Sequence, residues 1–335
     1  MTTTRREIAI EKYGPAKNLV LRERPTPDVG PDDVSIAVNY SGVNFADIQM
    51  RLGFYPDAPK KPFVPGYEVS GVIESVGANV SRFSPGDRVV AGTYFGGYAD
   101  RVAVPAVQVF PLPAGRDLAE GAALPVNFFT AELALFEMAR VREGDRVLIE
   151  CATGGVGTIA IQMARYAGAE VVGLTTTAAK LDYIRDLGAE AYTRADFYAD
   201  ESIGGFDFIL NASGGTEIKK QMKRLRMTGR MVCIGLSSGV KDGKRNFFRI
   251  AKAALQTPRM SVLKMFDSNT GIYALNALHI LGDEKWVEYL TAKLVDVEKM
   301  ELHPHVGKVF AAEDAAQAHE LLQTRRALGK VLLAW

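Results

Sequence analysis

The stretch Arg146-Val-Leu-Ile-Glu-Cys151-Ala-Thr-Gly154-Gly155-Val156-Gly157-Thr158 decides the fold. A strand of buried type runs into a glycine cluster, and Ile159 to Ala167 continues with helical spacing. That order builds a dinucleotide phosphate site. Small residues let the backbone approach a pyrophosphate, and the free N–H groups at the next helix start face the anion. A tight strand-to-helix turn needs no ligand, so the context has to carry the reading. It does: a βαβ pattern continues through Glu170 to Leu174, a helix from Ala178 to Leu187, and strands from Phe206 to Leu210 and Arg230 to Gly235.

Upstream, from about Arg5 to Pro113, short β-like runs alternate with turn residues. The runs are Ile8 to Ile10, Leu19 to Arg22, Val34 to Tyr40, Tyr67 to Val76, Arg88 to Ala91, Tyr98 to Val104 and Gln108 to Pro111. Helical spacing begins near Leu118 and continues from Val126 to Met138. After Phe266 the pattern predicts a helix over Gly271 to Leu281, continued around Trp286 to Leu294, then strand, helix (Ala312 to Thr324) and strand (Lys330 to Trp335). The tail shares the texture of the first part, so the chain is expected to return and complete it.

Length and composition agree. The 335 residues suggest about two domains, and 47% hydrophobic content is ordinary for a globular chain. With 40 basic and 39 acidic residues the net charge is +1, which offers no bulk attraction to nucleic acid or to an anionic membrane. One basic run, Lys241, Lys244, Arg245, Arg249 and Lys252, reads as a solvated face or a docking surface. Apolar stretches break well short of the ~20 residues needed to span a bilayer. The start lacks the apolar region of a secretory signal, so a cytoplasmic protein with no integral membrane segment is expected. Cys151 and Cys233 both fall in strands predicted to be buried, which argues against a disulfide framework.

The pairing of Gly42-Val-Asn44-Phe-Ala-Asp47, Val64-Pro-Gly-Tyr-Glu68 and Pro85-Gly-Asp-Arg-Val89 with Gly154-Gly-Val-Gly157 resembles the medium-chain dehydrogenase/reductase superfamily over essentially the whole chain. Ala152-x-Gly-Gly-Val-Gly157 and Gly42-Val-Asn44 are similar to its zinc-free quinone oxidoreductases. Leu124-Pro-Val-Asn127-Phe-Phe-Thr130-Ala and Gly243-Lys-Arg-Asn-Phe-Phe248 look closest to the branch of the synaptic vesicle amine-transport-protein homologue. The resemblance implies an α/β chain: a GroES-like β-rich catalytic domain (1–126 and 267–335) and a Rossmann, doubly wound parallel-sheet domain (127–266). It also implies NADPH as hydride donor and a homodimer joined through Rossmann sheet edges, the edge here being near Met260 to Met265.

In zinc-dependent relatives a Cys would lie where Asn44 stands and a His where Tyr67 stands, leaving Glu68 alone. Catalytic zinc takes about three protein ligands. His303 and His305 flank Pro304 with no third ligand nearby in sequence, so no metal site is expected. Without a Lewis acid, hydride addition to an already polarised double bond is the chemistry left.

For the cofactor, Gly154, Gly155, Val156 and Gly157 would take the diphosphate. Dinucleotide folds specific for NAD place an acidic residue about 20 positions beyond the glycines. Here that point reads Thr175-Thr176-Thr177 with Lys180 one turn on, hydroxyls and a lysine that attract a 2′-phosphate. The same loop also reads as an ordinary N-capped turn. Arg194 is a further candidate phosphate contact. By resemblance Asn211, Gly235 and Ser237 lie along the cofactor, and Asn44 and Thr130 hold the nicotinamide end.

Hydride delivery to an enone leaves an enolate that needs stabilisation and a proton. Related enoyl reductases carry an acidic tyrosine in the region matching Tyr55, and an ordinary tyrosine, with a pKa of about 10, would act as a neutral donor. Tyr55 reads equally as an aromatic packed on the cleft wall. Phe54, Tyr67, Tyr94, Phe128, Phe129 and Phe266 are candidate apolar walls for a planar quinone or enone, and equally candidates for the core. Two other readings remain: a non-catalytic nucleotide-sensing adaptor associated with membrane or lipid, and an alcohol dehydrogenase, which the missing ligands disfavour.

Overall fold

A computed structural model describes residues 4–240, 255–280 and 282–335; the basic run at 241–252 lies outside them. The chain forms two compact units, one from residues 4–126 with the segment from 278 to the end, the other from 127–240 with 255–277.

The first unit opens with β1 (Thr4–Ile10) antiparallel to β2 (Leu19–Pro25). Then come β3 (Asp33–Val43), β4 (Glu68–Val76), β5 (Arg88–Gly92), β6 (Arg101–Pro105) and β7 (Val109–Pro111). The two-residue alternation that marks these strands in the sequence has a packing cause. Val34, Ile36 and Val38 of β3 turn inward onto Val69, Ile73, Val89, Ala91, Val102 and Val104. Each such side chain contributes about 1.5–3 kcal/mol when fully buried.

The second unit holds β8 (Arg146–Ile149), β9 (Glu170–Thr175), β10 (Glu190–Thr193), β11 (Phe206–Asn211), β12 (Leu225–Cys233) and β13 (Gly271–Ala274). They form a parallel sheet in the order β10-β9-β8-β11-β12-β13, built on Leu148, Val172, Leu174, Phe206, Ile209 and Met231. The order reverses between β8 and β11. Open α/β sheets bind ligands at such a switch point, outside the carboxyl ends of the strands. The Gly154–Gly157 turn leaves β8 there and starts the helix Gly155–Tyr166. Gly157 has a packing reason: a Cβ on it would lie 2.4 Å from the Cys151 carbonyl oxygen and 2.8 Å from Ala152 Cα.

The chain then returns. β14 (Val306–Ala311) lies parallel to β15 (Lys330–Ala334), and β15 pairs antiparallel with β3, closing the order β14-β15-β3-β4-β5-β7 with β6 also on β3. The helix Ala315–Gln323 packs Ala315 and Ala318 with Ile8, Val331 and Leu333.

Three expectations change. Residues near Met260 to Met265 are not an edge strand: Val262–Ser268 is a short helix, stopped by Asn269 in the left-handed conformation at φ 50°. The edge is β13, so the helix predicted from Gly271 starts instead as a strand, its backbone groups paired by β12. Cys151 lies past the end of β8 in a left-handed turn at φ 54°, whereas Cys233 ends β12; neither is in a disulfide. Among the described residues, no helix is long and apolar enough to cross a membrane.

Gly157→Ala should lower the urea midpoint, because the new methyl meets backbone that cannot move aside. The expected cost is about 1–3 kcal/mol, and an unchanged midpoint would refute the packing argument.

Candidate functional site

In the first unit the site is built around Asn44, which precedes the helix Phe45–Leu52. The Asn44 amide is held at both ends. Its Oδ1 accepts from Lys330 Nζ at 2.7 Å and its Nδ2 donates to Glu68 Oε1 at 3.0 Å. Lys330 also donates to Glu68 Oε1, and Glu68 Oε2 accepts from the Val126 N–H at 2.8 Å. Glu68 and Lys330 are both buried, and Gly42 leaves the room: a Cβ there would meet the Glu68 carboxylate at 2.5 Å. A buried carboxylate is tolerable only with a cation and hydrogen bonds on it, and Glu68 has both.

A second buried chain supports the same helix. Arg51 Nε donates to His319 Nδ1 at 3.3 Å, which puts the ring hydrogen on Nε2, 3.1 Å from the Tyr98 hydroxyl. Tyr98 donates to Asp47 Oδ2 at 3.0 Å, and Asp47 also accepts from the Asn44 and Gly66 N–H groups. The row thus runs from a guanidinium through a neutral imidazole and a phenol to a carboxyl. Burial dominates the titration of its members. It pushes Asp47 up to about 6 against its donors, drives Tyr98 well up, and keeps His319 well below its ordinary range.

Tyr55 follows the left-handed Gly53 that ends the helix. Its ring centroid lies 6.3 Å from that of Tyr67, which lies 5.6 Å from Phe95, and Phe95 meets Tyr94 edge-on at 5.2 Å. Ile10, Met50, Phe63 and Leu278 pack around them. Desolvation pushes both tyrosine hydroxyls up, Tyr67 far more than Tyr55, so both are neutral donors at neutral pH. The buried Tyr67 hydroxyl faces that of Tyr55, the polar side chain beside it. Tyr94 is half in solvent in a left-handed conformation, φ 52°, a backbone state that concentrates at functional sites.

In the second unit, the N-cap Gly154 makes no side-chain bond to the helix Gly155–Tyr166. A helix start leaves its first N–H groups without intrahelical partners, and the dipole adds about 0.3–1 kcal/mol for an anion. Thr175 ends β9, buried, its hydroxyl accepting from Thr177 N at 3.4 Å, while Thr176 is exposed. Lys180 is half-buried, and desolvation lowers its ammonium pKa. Arg194 donates to Ser213 Oγ at 3.1 Å and pairs with buried Glu150 at 2.8 Å. Glu150 in turn accepts from the Ala212 and Ser213 N–H groups. Asn211 is bonded to Gln221 and to the Gly214 N–H. Gly235 and Ser237 follow β12, with Ser237 N bonded to the Ala212 carbonyl.

Several candidate residues thus gather. Tyr55, Tyr67 and Tyr94 form one aromatic cluster, and Phe54 is half-buried in the same loop as Tyr55. Others part from the sequence reading. Phe128 is fully buried with its ring 5.9 Å from Phe129, a core position in place of a pocket wall. Phe266 stands 80% exposed on its short helix and walls nothing in its own unit. Thr130 is buried. Sequence reasoning misses Lys330, His319 and Glu150; only Glu150, a charge at the end of a buried strand, carries a local signal. His303 contacts Arg116, and His305 is half-buried with its pKa lowered by desolvation. Among the described residues no group of three or more His, Cys, Asp or Glu side chains is placed to hold a metal ion.

Family models match twice: the alcohol dehydrogenase GroES-like domain over residues 30–114 and the zinc-binding dehydrogenase domain over 155–271. The chain is similar to a synaptic vesicle membrane protein VAT-1 homolog-like protein of Mus musculus, 30% identical over 336 residues, 98% of this chain and 81% of that one. It is similar also to a quinone oxidoreductase of Sus scrofa, 31% identical, covering 97% of this chain and 96% of that one. Among solved structures it resembles the quinone oxidoreductase of Thermus thermophilus, described together with its NADPH complex. The TM-score is 0.82 at 33% identity, over 98% of this chain and 100% of that one.

Two stability tests follow from the first unit. Lys330→Met, which strands Glu68 without a cation, should cost about 3–5 kcal/mol, and adding Glu68→Leu should restore most of it; full stability of the single variant would contradict the pairing. The folded state holds the Asp47 proton more tightly than the unfolded chain, whose carboxyl has the ordinary value of 3.8. That contribution is therefore complete below about pH 4 and is lost as pH rises through about 6, a fall of about 2–3 kcal/mol. In urea titrations Asp47→Asn should flatten that slope, and a profile parallel to wild type would contradict it.

Proposed function

We propose that this chain, which belongs to the quinone oxidoreductase-like group of the medium-chain dehydrogenase/reductase superfamily, is an NADPH-dependent, zinc-independent reductase of quinones or α,β-unsaturated carbonyl compounds. The observation that carries the reading is the carboxyl edge of the parallel sheet. There an uncapped helix start at Gly154–Gly157 and the hydroxyl-lined end of β9 follow neighbouring strands.

These residues fit the cofactor. Gly154, Gly155, Val156 and Gly157 would present backbone N–H groups to the diphosphate. Thr175, Thr176 and Lys180 would take the 2′-phosphate, at the point where folds specific for NAD carry an acidic residue. Arg194, already paired with Glu150, would contribute only its remaining guanidinium hydrogens. Asn211, Gly235 and Ser237 would line the nucleotide, and Thr130 and Asn44 would meet the nicotinamide end. Asn44 has one amide hydrogen left after Glu68. When bound, NADPH supplies a hydride to the β-carbon of the substrate. Tyr55, kept neutral by burial, would give the α-carbon its proton.

The donor set around Asn44 does not suit zinc. At the positions where zinc-dependent relatives carry ligands stand an amide and a phenol, and the remaining carboxylate, Glu68, is bonded by an ammonium, an amide and a backbone N–H. That supports zinc independence. The domain roles are part of the same proposal: residues 1–126 and 267–335 catalytic, 127–266 nucleotide-binding, with β13 moved into the latter. So are a cytoplasmic setting and a homodimer through the β13 edge, near which Val262, Leu263 and Phe266 are exposed.

Purified protein with NADPH and a panel of a quinone, an enone and an enoyl thioester tests the reading. It predicts loss of NADPH absorbance with at least one. Tight NADPH binding without turnover would favour a nucleotide sensor instead. Thr175→Asp should weaken NADPH about tenfold or more, the loss of one bond to a charged group, and leave NADH within about twofold; equal effects on both would refute the phosphate assignment.

A further inference from the structure

We infer that Lys12, Lys60 and Lys61 form a surface that receives the phosphate groups of a coenzyme A thioester, so that the substrate class is an enoyl-CoA; this rests on the reductase reading above, with Tyr55 as proton donor. All three side chains are exposed. They sit on two segments that the backbone ties together. The Ile10 N–H donates to the Phe63 carbonyl at 2.8 Å, and the Phe63 N–H donates back at 3.4 Å. Lys12 and Lys61 each follow from that antiparallel pair two positions outward, on the same side of it. The Lys61 ammonium lies 4.2 Å from the centre of the Tyr13 ring, a contact that orients the charge without neutralising it.

The three charges are uncompensated. Among the described residues no carboxylate lies within ion-pair distance of any of them. The acidic side chains of residues 11–13 and 53–63 are engaged elsewhere, Glu11 by Arg22 at 3.4 Å and Asp57 by His279 at 3.0 Å. Like charges gathered without counterions repel one another, and only solvent and salt screen them. An anionic ligand removes that repulsion.

The place of the patch selects the ligand. A Cβ on Gly53 would lie 2.7 Å from the Tyr13 ring, so Tyr13 packs on the residue that begins the Phe54–Tyr55 loop, and Lys60 and Lys61 stand at the far end of that loop. Tyr13 and Tyr55 also pack around one apolar cluster. An anion held by the lysines therefore belongs to the molecule that Tyr55 would protonate. Quinones and simple enones carry no charge to place there. A CoA thioester carries its phosphates on a long flexible arm, away from the reacting double bond. Three lysines fall short of the roughly four to eight basic residues of a lipid-surface site and of the roughly six to ten phosphate contacts of a nucleic-acid site. Binding energy gained at this remote end of the substrate orients the enoyl group and appears in kcat/KM.

The test compares crotonyl-CoA with S-crotonyl-N-acetylcysteamine, the same enoyl thioester without phosphates. Wild type should favour crotonyl-CoA by about tenfold in kcat/KM, the sum expected of three exposed ion pairs. Lys12→Ser/Lys60→Ser/Lys61→Ser, or about 0.5 M salt, should bring the ratio near one. The corresponding triple Arg variant should keep it. Rates with the truncated thioester and with menadione should not change in the Ser variant. Calorimetry with CoA alone, in the absence of NADPH, gives a second readout: the Ser variant should bind at least tenfold more weakly than wild type. CoA binding that is equal in wild type and the Ser variant, or absent from wild type, overturns the inference. Binding that depends on the lysines in a wild type that oxidises NADPH with no panel member overturns the reductase reading and leaves the phosphate surface standing.

Discussion

The ammonium of Lys330 on the buried carboxylate of Glu68 is the contact on which the first unit's site depends. Neither charge would be stable there alone, since stranding one in a buried position costs several kcal/mol. The pair therefore obliges the last strand to come back beside β3, and β15 does so through the Val331 to Ala334 ladder. Asn44 is caught between the two charges with a defined amide orientation, because an ammonium can only donate and a carboxylate can only accept. Asn44, Glu68 and Lys330 thus form one fixed polar cluster whose cation is the lysine.

The second unit solves a different problem with backbone. Its parallel sheet reverses order beside β8, and the glycine turn brings the start of the helix Gly155–Tyr166 to that point. The turn is anchored from below. Gly157 lets the helix lie against Cys151 and Ala152, and Glu150 ties the end of β8 to the backbone after β11 and to Arg194. The packing of the turn and the joining of two strand ends thus share these few residues.

Much of this is legible in the sequence, for physical reasons. Alternation such as Val34, Ile36 and Val38 records which face of a strand is buried, and Gly157 records a close approach to backbone that no larger residue permits. What is not legible depends on residues far apart in the chain. Nothing local marks Lys330 as the partner of Glu68 or His319 as the link between Arg51 and Tyr98. β13 reads as helix because an edge strand takes half its definition from its neighbour, and Gly271 to Ala274 has no buried face of its own to advertise. Phe128 and Phe266 show the same limit: an aromatic ring looks alike in sequence whether it ends at 0% or 80% exposure.

The claim that the Gly154–Gly157 turn receives a phosphorylated pyridine nucleotide is tested most directly by calorimetry on the folded wild-type protein. The account predicts binding of about one NADPH per chain, at least tenfold tighter than NADH. Absence of heat with either nucleotide, or a preference for NADH, would contradict it.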